Sequence, residues 1–513
     1  MSPELALAFS IGIPLIGTLF IALNAQYPNL REAVTLLTAS CLFLTVLSLL
    51  PQVSAGDRPS LVMLEMMPGL PLALKAEPLG MLFALVASGL WIVTSIYSIG
   101  YMRGHGEQNQ TRFYVCFAVA LSSTMGICFA GNMLTLFVFY EALTLSTYPL
   151  VTHHGDDESR RAGRVYLGIL ISTSIGFLLL ATLWTWVIAG TLDFTPGGIL
   201  AGKADGPVIG LLLFLYMFGI GKAALMPIHR WLPAAMVAPT PVSALLHAVA
   251  VVKAGVFTVV KVIVYIFGTD TLANMTQDDW LSWVAAFTLV TASIIAMTKD
   301  NLKTRLAYST VSQLSYIILG ASLATGLGIV GSGMHIAMHA FGKITLFFCA
   351  GAIMVAAHRT EISQMDGLGR IMPFTFFAFL IGSLSVIGLP PLGGAWSKWY
   401  LMLGAAEADK IVFVVILMIS SLLNVAYLLP VVARGFFARA RPDAHGAEGH
   451  AHAPASAGAA ATPGEHRGHA EGGIHEAPAC CLIAMAVTSA GCVLLFFYAE
   501  RIVDLLAPIA GIR

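Results

Sequence analysis

The chain has 513 residues, 58% of them hydrophobic and only 11% charged, with a mean hydropathy of +0.83. A soluble domain of this length needs a mostly polar surface, so apolar runs of 18 or more residues recurring from end to end identify a polytopic membrane protein. Basic and acidic side chains balance at 27 each, which excludes a basic stripe for nucleic acid.

Residues 5–24 lack a basic n-region, the first arginine being Arg31, and are predicted to be a retained helix and not a cleaved signal. At about 20 apolar residues per crossing, fourteen spans fall at 4–24, 31–51, 78–101, 113–130, 132–152, 163–190, 207–236, 241–267, 280–298, 303–321, 327–356, 372–408, 411–434 and 479–503. The seventh and twelfth are overlong and broken, at 226–233 MPIHRWLP and 388–394 GLPPLGG. Taking spans 4–8 and 9–13 as blocks, the third helix of each is the broken one. An offset of five spans, an odd number, turns one block upside down relative to the other.

The predicted fold is therefore all-α, with about fourteen transmembrane helices and two inverted five-helix repeats. Its parts are the N-terminal spans (1–112), a first repeat (113–267), a second repeat (280–434), a His-rich cytoplasmic loop read as disordered (435–478) and a last span (479–513). Gly/Pro interruptions at matching places in inverted halves point to a transport path near the midplane. Backbone freed by such breaks must be buried in protein or line a wet cavity.

Odd-numbered loops carry sixteen lysines and arginines, whereas even-numbered loops carry Arg58, Lys75, Lys203 and Lys410. The positive-inside rule then makes the odd loops cytoplasmic and puts both termini on the other side. The seven cysteines lie scattered in apolar segments with no C-x-x-C spacing; they read as small buried residues, and no metal or cluster site is expected.

Charged groups inside spans mark functional pathways, since each costs roughly 2.5–3.5 kcal/mol on insertion scales. Glu141, deep in span 5, needs a cation, and Lys222 in span 7 is the candidate; a fixed ion pair that only holds helices together is the plainer reading. In span 8, His247 and Lys253 are about 120° and about 9 Å apart on the helix. That spacing suits a water-bridged relay, although His247 alone reads equally as a core histidine, and Lys261 as a lysine snorkelling to the interface. Span 11 stacks His335, His339 and Lys343 at i, i+4 and i+8 on one face, over about 12 Å. A proton ladder, polar helix packing and metal ligation are the alternatives, the last lacking a nearby carboxylate or cysteine.

Lys398 in span 12 follows the second break in AWSKWYLM, as an interfacial anchor with its tryptophans or as a mobile charge in register with Lys222. Span 10 opens with KDNLKTRLAYSTVSQ (299–313), polar on one face, which suggests a water-accessible cytoplasmic entry. Residues 441–478 hold six of the fourteen histidines in Ala/Gly/Pro-rich sequence and cannot bury a core. They are expected to be a linker, with weak Zn²⁺ binding or pH sensing as the sharper possibility.

GKAALMPIHRWLPAAMVAPTPVSALLHA, FYEALTLSTYPLV, LKTRLAYSTVSQLSYIILG and HAFGKITLFFCAG resemble the antiporter-like subunits shared by respiratory complex I, membrane-bound hydrogenases and multi-subunit Mrp-type Na⁺/H⁺ antiporters. The resemblance covers spans 3–13 and is nearest to the D-type Mrp protein, with LLHAVAVVKAGVF closer to the hydrogenase and large complex I types. It implies that Glu141 and Lys222 are the family's span-5 glutamate and span-7 lysine, that Lys253 or His247 is the span-8 relay group, and that Lys343 and Lys398 serve the second half-channel.

The function so implied is proton translocation along a central Lys/His/Glu relay, exchanged for Na⁺, beside other membrane subunits in a bacterial inner membrane. A pumping subunit of NADH–quinone oxidoreductase or of a membrane-bound hydrogenase is the alternative, and a structural scaffold the blandest. No flavin, nucleotide or cluster motif is present, so no cofactor is expected in this chain.

Overall fold

Where water cannot reach the backbone, an apolar run satisfies its own N–H and C=O groups by forming helix, and nearly every apolar run of this chain does so. The structure, a computed structural model, describes residues 1–274, 279–439 and 473–511, apart from the side chains of Leu246 and His247. Among the described residues, ten helices are long and apolar enough to cross a membrane, from Pro3–Leu23 to Ala479–Phe497.

The other four predicted spans contain helix of a different kind. Gly206–Gly219 and Pro373–Ile387 are cut short by the two breaks. The segment from Thr240 to Phe267 is divided by π-helical turns at Leu245–Val249 and Val262–Phe267. Leu302–Ser322 has the length but too many polar side chains. Among the described residues the fourteen predicted spans thus comprise ten long apolar helical segments, one of which, Asp157–Ala189, carries a π-helical turn at Ser174–Leu179, and four shorter, divided or polar segments.

The fold is helical as expected, with one β-hairpin beside the helices, Ser60–Met67 paired antiparallel with Leu70–Lys75. The run is too short to cross a bilayer, and Pro68–Gly69, with Gly69 at φ 79°, turns the chain back on itself. The hairpin is fastened to the start of the Met133–Val151 helix, where Asn132 Nδ2 donates to the Pro71 carbonyl at 2.7 Å and the Ala73 amide donates to Thr135 Oγ1 at 2.9 Å.

Asn132 and Asn301 precede predicted spans 5 and 10 and do the same work. Each accepts a bond from the amide three residues on, Thr135 at 2.8 Å and Thr304 at 3.1 Å, capping its helix. Each also forms an isolated antiparallel bridge, Asn132 with Asp193 and Asn301 with Glu361. The flanking bonds repeat as well: the Met133 amide donates to the Leu192 carbonyl and Phe194 to Gly131, as Leu302 donates to Thr360 and Ile362 to Asp300.

The two breaks differ in form. After Gly219 the chain runs through short turns to Val237, with Ala224 at φ 55° and Lys222 inside the irregular stretch. After Ile387 it turns at Gly388 (φ 92°) and resumes as Gly394–Glu407, so that Lys398 lies on regular helix. The expected matching register of the two lysines is therefore not met by equal local backbone.

The last predicted span ends at Phe497, and Ala499–Ala510 forms a separate helix whose Leu506 reaches Gly333 of the Gly326–Ala357 helix. Most of the His-rich loop, residues 440–472, lies outside the described residues. Its C-terminal end is ordered, against the reading of 435–478 as wholly disordered. There the Glu476 carboxylate accepts from the Phe374 amide (2.7 Å), the Thr375 amide (3.3 Å) and Thr375 Oγ1 (2.6 Å), filling the free donors at the start of Pro373–Ile387.

Candidate functional site

Burying an amine costs several kcal/mol unless hydrogen bonds replace its water, so the partners of each buried lysine define the site. Lys222, Lys253 and Lys343 are fully buried, and Lys398, His335 and His339 nearly so. Lys253 Nζ lies 2.6 Å from His339 Nδ1, which joins the Val251–Lys261 helix to Gly326–Ala357. The expected water-bridged relay between Lys253 and His247 falls on a side chain, that of His247, that lies outside the described residues.

From His339 the path runs along the predicted i, i+4 ladder. Its ring stacks on that of His335 with centroids 5.7 Å apart. His335 is held from both sides, Nδ1 lying 2.9 Å from Ser397 Oγ and Nε2 3.1 Å from Gln313 Oε1. Its ring also stacks on Tyr316 at 5.6 Å. Lys398 Nζ donates to the Tyr316 hydroxyl (3.4 Å), to Ser421 Oγ (3.1 Å) and to the Ile387 carbonyl at the end of the half-helix before the break (3.0 Å).

Lys253, His339, His335, Tyr316 and Lys398 thus form one buried polar file. Lys343 branches from it, donating to Ser309 Oγ at 2.6 Å and to the Leu306 carbonyl at 3.3 Å, with Tyr427 OH 2.7 Å from Ser309 Oγ.

Lys398 is 5% exposed, whereas Trp396 and Trp399 are 37% and 52% exposed. The tryptophans therefore face outward and the lysine inward, at the edge of a groove of about 820 Å³ that also takes in Met402, Leu422 and Phe496. The anchor reading describes the tryptophans, not the lysine.

The first half is arranged differently from expectation. Lys222 Nζ donates to the Tyr140 carbonyl and to Thr144 Oγ1, both at 2.6 Å, and its amide donates to Tyr140 OH at 3.0 Å. Among the described residues no ion pair within 4.0 Å joins it to Glu141, and both Glu141 oxygens are buried without a hydrogen bond. The reason is angular. Lys222 docks on the helix face of Tyr140 and Thr144, while Glu141 shares its face with the exposed Val138 and Leu145.

Gly255 brings the Lys253 helix onto the Lys222 break, for a Cβ there would sit 2.4 Å from the Lys222 carbonyl carbon. Lys261 does not snorkel. It is fully buried, 3.1 Å from Glu77 Oε2, and donates to the Ala130 carbonyl at 2.8 Å, because Glu77 at the start of the Pro78–Gly104 helix offers a closer partner than water. The polar opening of span 10 lines a cavity of about 200 Å³ through Asn301 and Lys303.

Sequence reasoning missed Ser309, Gln313, Tyr316, Ser397, Ser421 and Tyr427. Part of the signal was present, since Ser309, Gln313 and Tyr316 fall at i, i+4 and i+7 on Leu302–Ser322 and continue the polar face past residue 313.

Residues 130–424 match the family described as NADH:quinone oxidoreductase/Mrp antiporter, TM. NADH-quinone oxidoreductase subunit N of Desulforudis audaxviator is 32% identical over 83% of this chain and 82% of its own length. NAD(P)H-quinone oxidoreductase chain 5 of Synechocystis sp. is 31% identical over 66% of this chain, which spans only 51% of that relative. In fold, the chain superposes on a chain of the Mrp complex from Dietzia sp. with a TM-score of 0.83, 20% identity and coverage of 100% of this chain and 97% of the other.

Proposed function

Because the chain belongs to the NADH:quinone oxidoreductase/Mrp antiporter membrane family, we propose that it is the proton-translocating subunit of a multi-subunit Mrp-type cation/proton antiporter, exchanging Na⁺ for H⁺. The observation that carries this reading is the buried file from Lys253 through His339, His335 and Tyr316 to Lys398. Imidazoles accept a proton on one nitrogen and release it from the other, and buried amines change protonation readily, so neighbours of these kinds pass protons in short steps.

The breaks, together with the repeated Asn132 and Asn301 bridges, support two inverted halves, 113–267 and 280–434, each contributing one half-channel. The odd-loop excess of positive charge supports cytoplasmic odd loops, with both termini opposite, in a bacterial inner membrane. Glu141, which makes no hydrogen bond to Lys222, serves as a switch: movement of the two groups toward or away from each other alters what Lys222 delivers to the Lys253 helix.

The identity to NADH-quinone oxidoreductase subunit N over most of both chains favours a second reading, in which redox chemistry in partner subunits drives the same path. Mass spectrometry of the subunits that co-purify with the chain separates the two. For the path itself, Glu141→Ala and Lys222→Ala should each lower proton movement by more than about tenfold, the scale of a lost proton-transfer group, while the complex still assembles. Wild-type flux in either variant would overturn the central role of these groups.

A further inference from the structure

The file from Lys253 to Lys398 begins deep in the protein, and a proton must first be gathered at the surface. At the end of the Pro78–Gly104 helix that bears Tyr101, the loops following predicted spans 3 and 5 bring three titratable side chains together. Glu107 has a buried carboxylate (6% exposed); His154 Nε2 lies 3.4 Å from its Oε1 and His153 Nε2 3.7 Å from its Oε2. His154 is 38% exposed and faces solvent, while His153 is buried behind it.

Glu107, His105 and His154 line the cavity of about 200 Å³, whose inner wall is Ala238, Pro239 and Thr240. Water occupies about 30 Å³ per molecule in the liquid, so a short water chain fits. Thr240 opens the helical segment that leads on to Lys253; its Oγ1 donates to Tyr101 OH at 3.4 Å, and Lys303 Nζ donates to the Ala238 carbonyl at 2.6 Å.

We propose that Glu107, His154 and His153 form a proton-collecting site on the cytoplasmic face, which loads the cavity beneath it and through that cavity the Lys253 file. The inference rests on the proton-translocation reading above. A proton taken up by His154 from bulk water, held there by the charged Glu107 carboxylate, passes on to cavity water, and the imidazole is then free to take the next. One proton enters for each that leaves, so no charge accumulates.

The surroundings fit this task. Burial acts to raise the Glu107 carboxyl, but the hydrogen bond from His154 and the charges of His154, His153 and His105 outweigh it and hold the carboxyl below its ordinary value. The bond to Glu107 likewise holds His154 above the ordinary imidazole value, against partial burial and the charge of Lys303, with Asp156 assisting. Burial pushes His153 down. Arg112 donates to the His153 carbonyl at 2.6 Å, and Arg359 lines the same cavity.

The sign follows. Glu107 stays charged further into the acid range than a free carboxylate, and His154 keeps its proton to a higher pH than a free histidine, so the site empties only as pH rises past the raised His154 value.

The test uses the intact complex in inside-out membrane vesicles, with transport rate measured against the pH bathing the cytoplasmic face. His154→Gln and Glu107→Gln should shift the midpoint of the profile to lower pH by about one unit, equivalent to about tenfold weaker proton loading, with the rate at the acid end changed much less. His154→Gln alters a partly exposed side chain and keeps the test open if Glu107→Gln fails to assemble. An unchanged midpoint in His154→Gln, or an equal loss at every pH, overturns the collecting site. Lys253→Met in the same vesicles separates the two claims: a dead Lys253 variant beside an unchanged His154 profile overturns only the collecting site, and a fully active Lys253 variant overturns the translocation reading.

Discussion

Lys253 Nζ and His339 Nδ1, 2.6 Å apart and both buried, share a single hydrogen bond across two helices. Two cationic groups at that distance in a dry interior repel strongly, so the pair carries at most one excess proton. It can sit on the amine with the imidazole accepting, or on the imidazole with the amine accepting. The contact is therefore a two-state device as well as a link in the file.

Replacing Lys253 by Met keeps the length of the side chain and removes the exchangeable proton. Proton flux in membrane vesicles should fall by more than about tenfold, with the complex recovered at wild-type yield, since a buried amine exchanged for an apolar chain relieves a desolvation cost. Flux above half of wild type would show that protons bypass this pair.

The second buried pair, Lys261 with Glu77, has a different character. Glu77 is also met by Lys75 at 3.3 Å, and Lys261 lies 4.0 Å from the centre of the Phe194 ring. Lys261→Met leaves the buried Glu77 carboxylate with the partly exposed Lys75 as its remaining cation and should destabilise the chain by about 1–3 kcal/mol, less than the loss of a sole partner would cost. Lys261→Arg, which keeps the charge, should retain most of that stability. Thermal unfolding of the detergent-extracted complex reads the difference, and equal stability of the two variants would contradict the role given to the ion pair.

Gly255 fixes how closely the Lys253 helix approaches the first break. A Cβ there meets backbone atoms, the Lys222 carbonyl carbon and the Ala223 amide nitrogen, each at 2.4 Å, and no flexible side-chain end is available to yield. Gly255→Ala should displace the Lys222 segment, cost about 1–3 kcal/mol from overpacking and reduce transport by about tenfold or more, since relay geometry tolerates little misplacement. Gly168→Ala, with nothing within 4 Å of the added carbon, is the control, and transport should stay at wild-type level. Similar transport in both variants would sink the packing argument.

Hydropathy located the helices closely because a crossing demands an apolar run of set length. The His335, His339, Lys343 ladder was legible for the same kind of reason, since i, i+4 periodicity within one helix is written in the sequence. Contacts between helices were not. Lys253 with His339, and Lys398 with Tyr316 and Ser421, depend on the rotation of one helix about its axis relative to another, and several registers bury equal apolar area. Lys222 donates its hydrogen bonds to Tyr140 and Thr144, one residue or about 100° of helix from Glu141, whose charge still acts on it without a direct ion pair. The hairpin was not foreseen because residues 52–77 fall between two predicted spans, and a search for runs long enough to cross a bilayer passes over shorter apolar stretches.

Glu141 lies on the flank of the chain beside Val138 and Leu145, so its charge is answerable to whatever is pressed against that flank. On the translocation reading proposed above, a neighbouring subunit set against this flank would reach the first half of the path from its rim, without entering its centre.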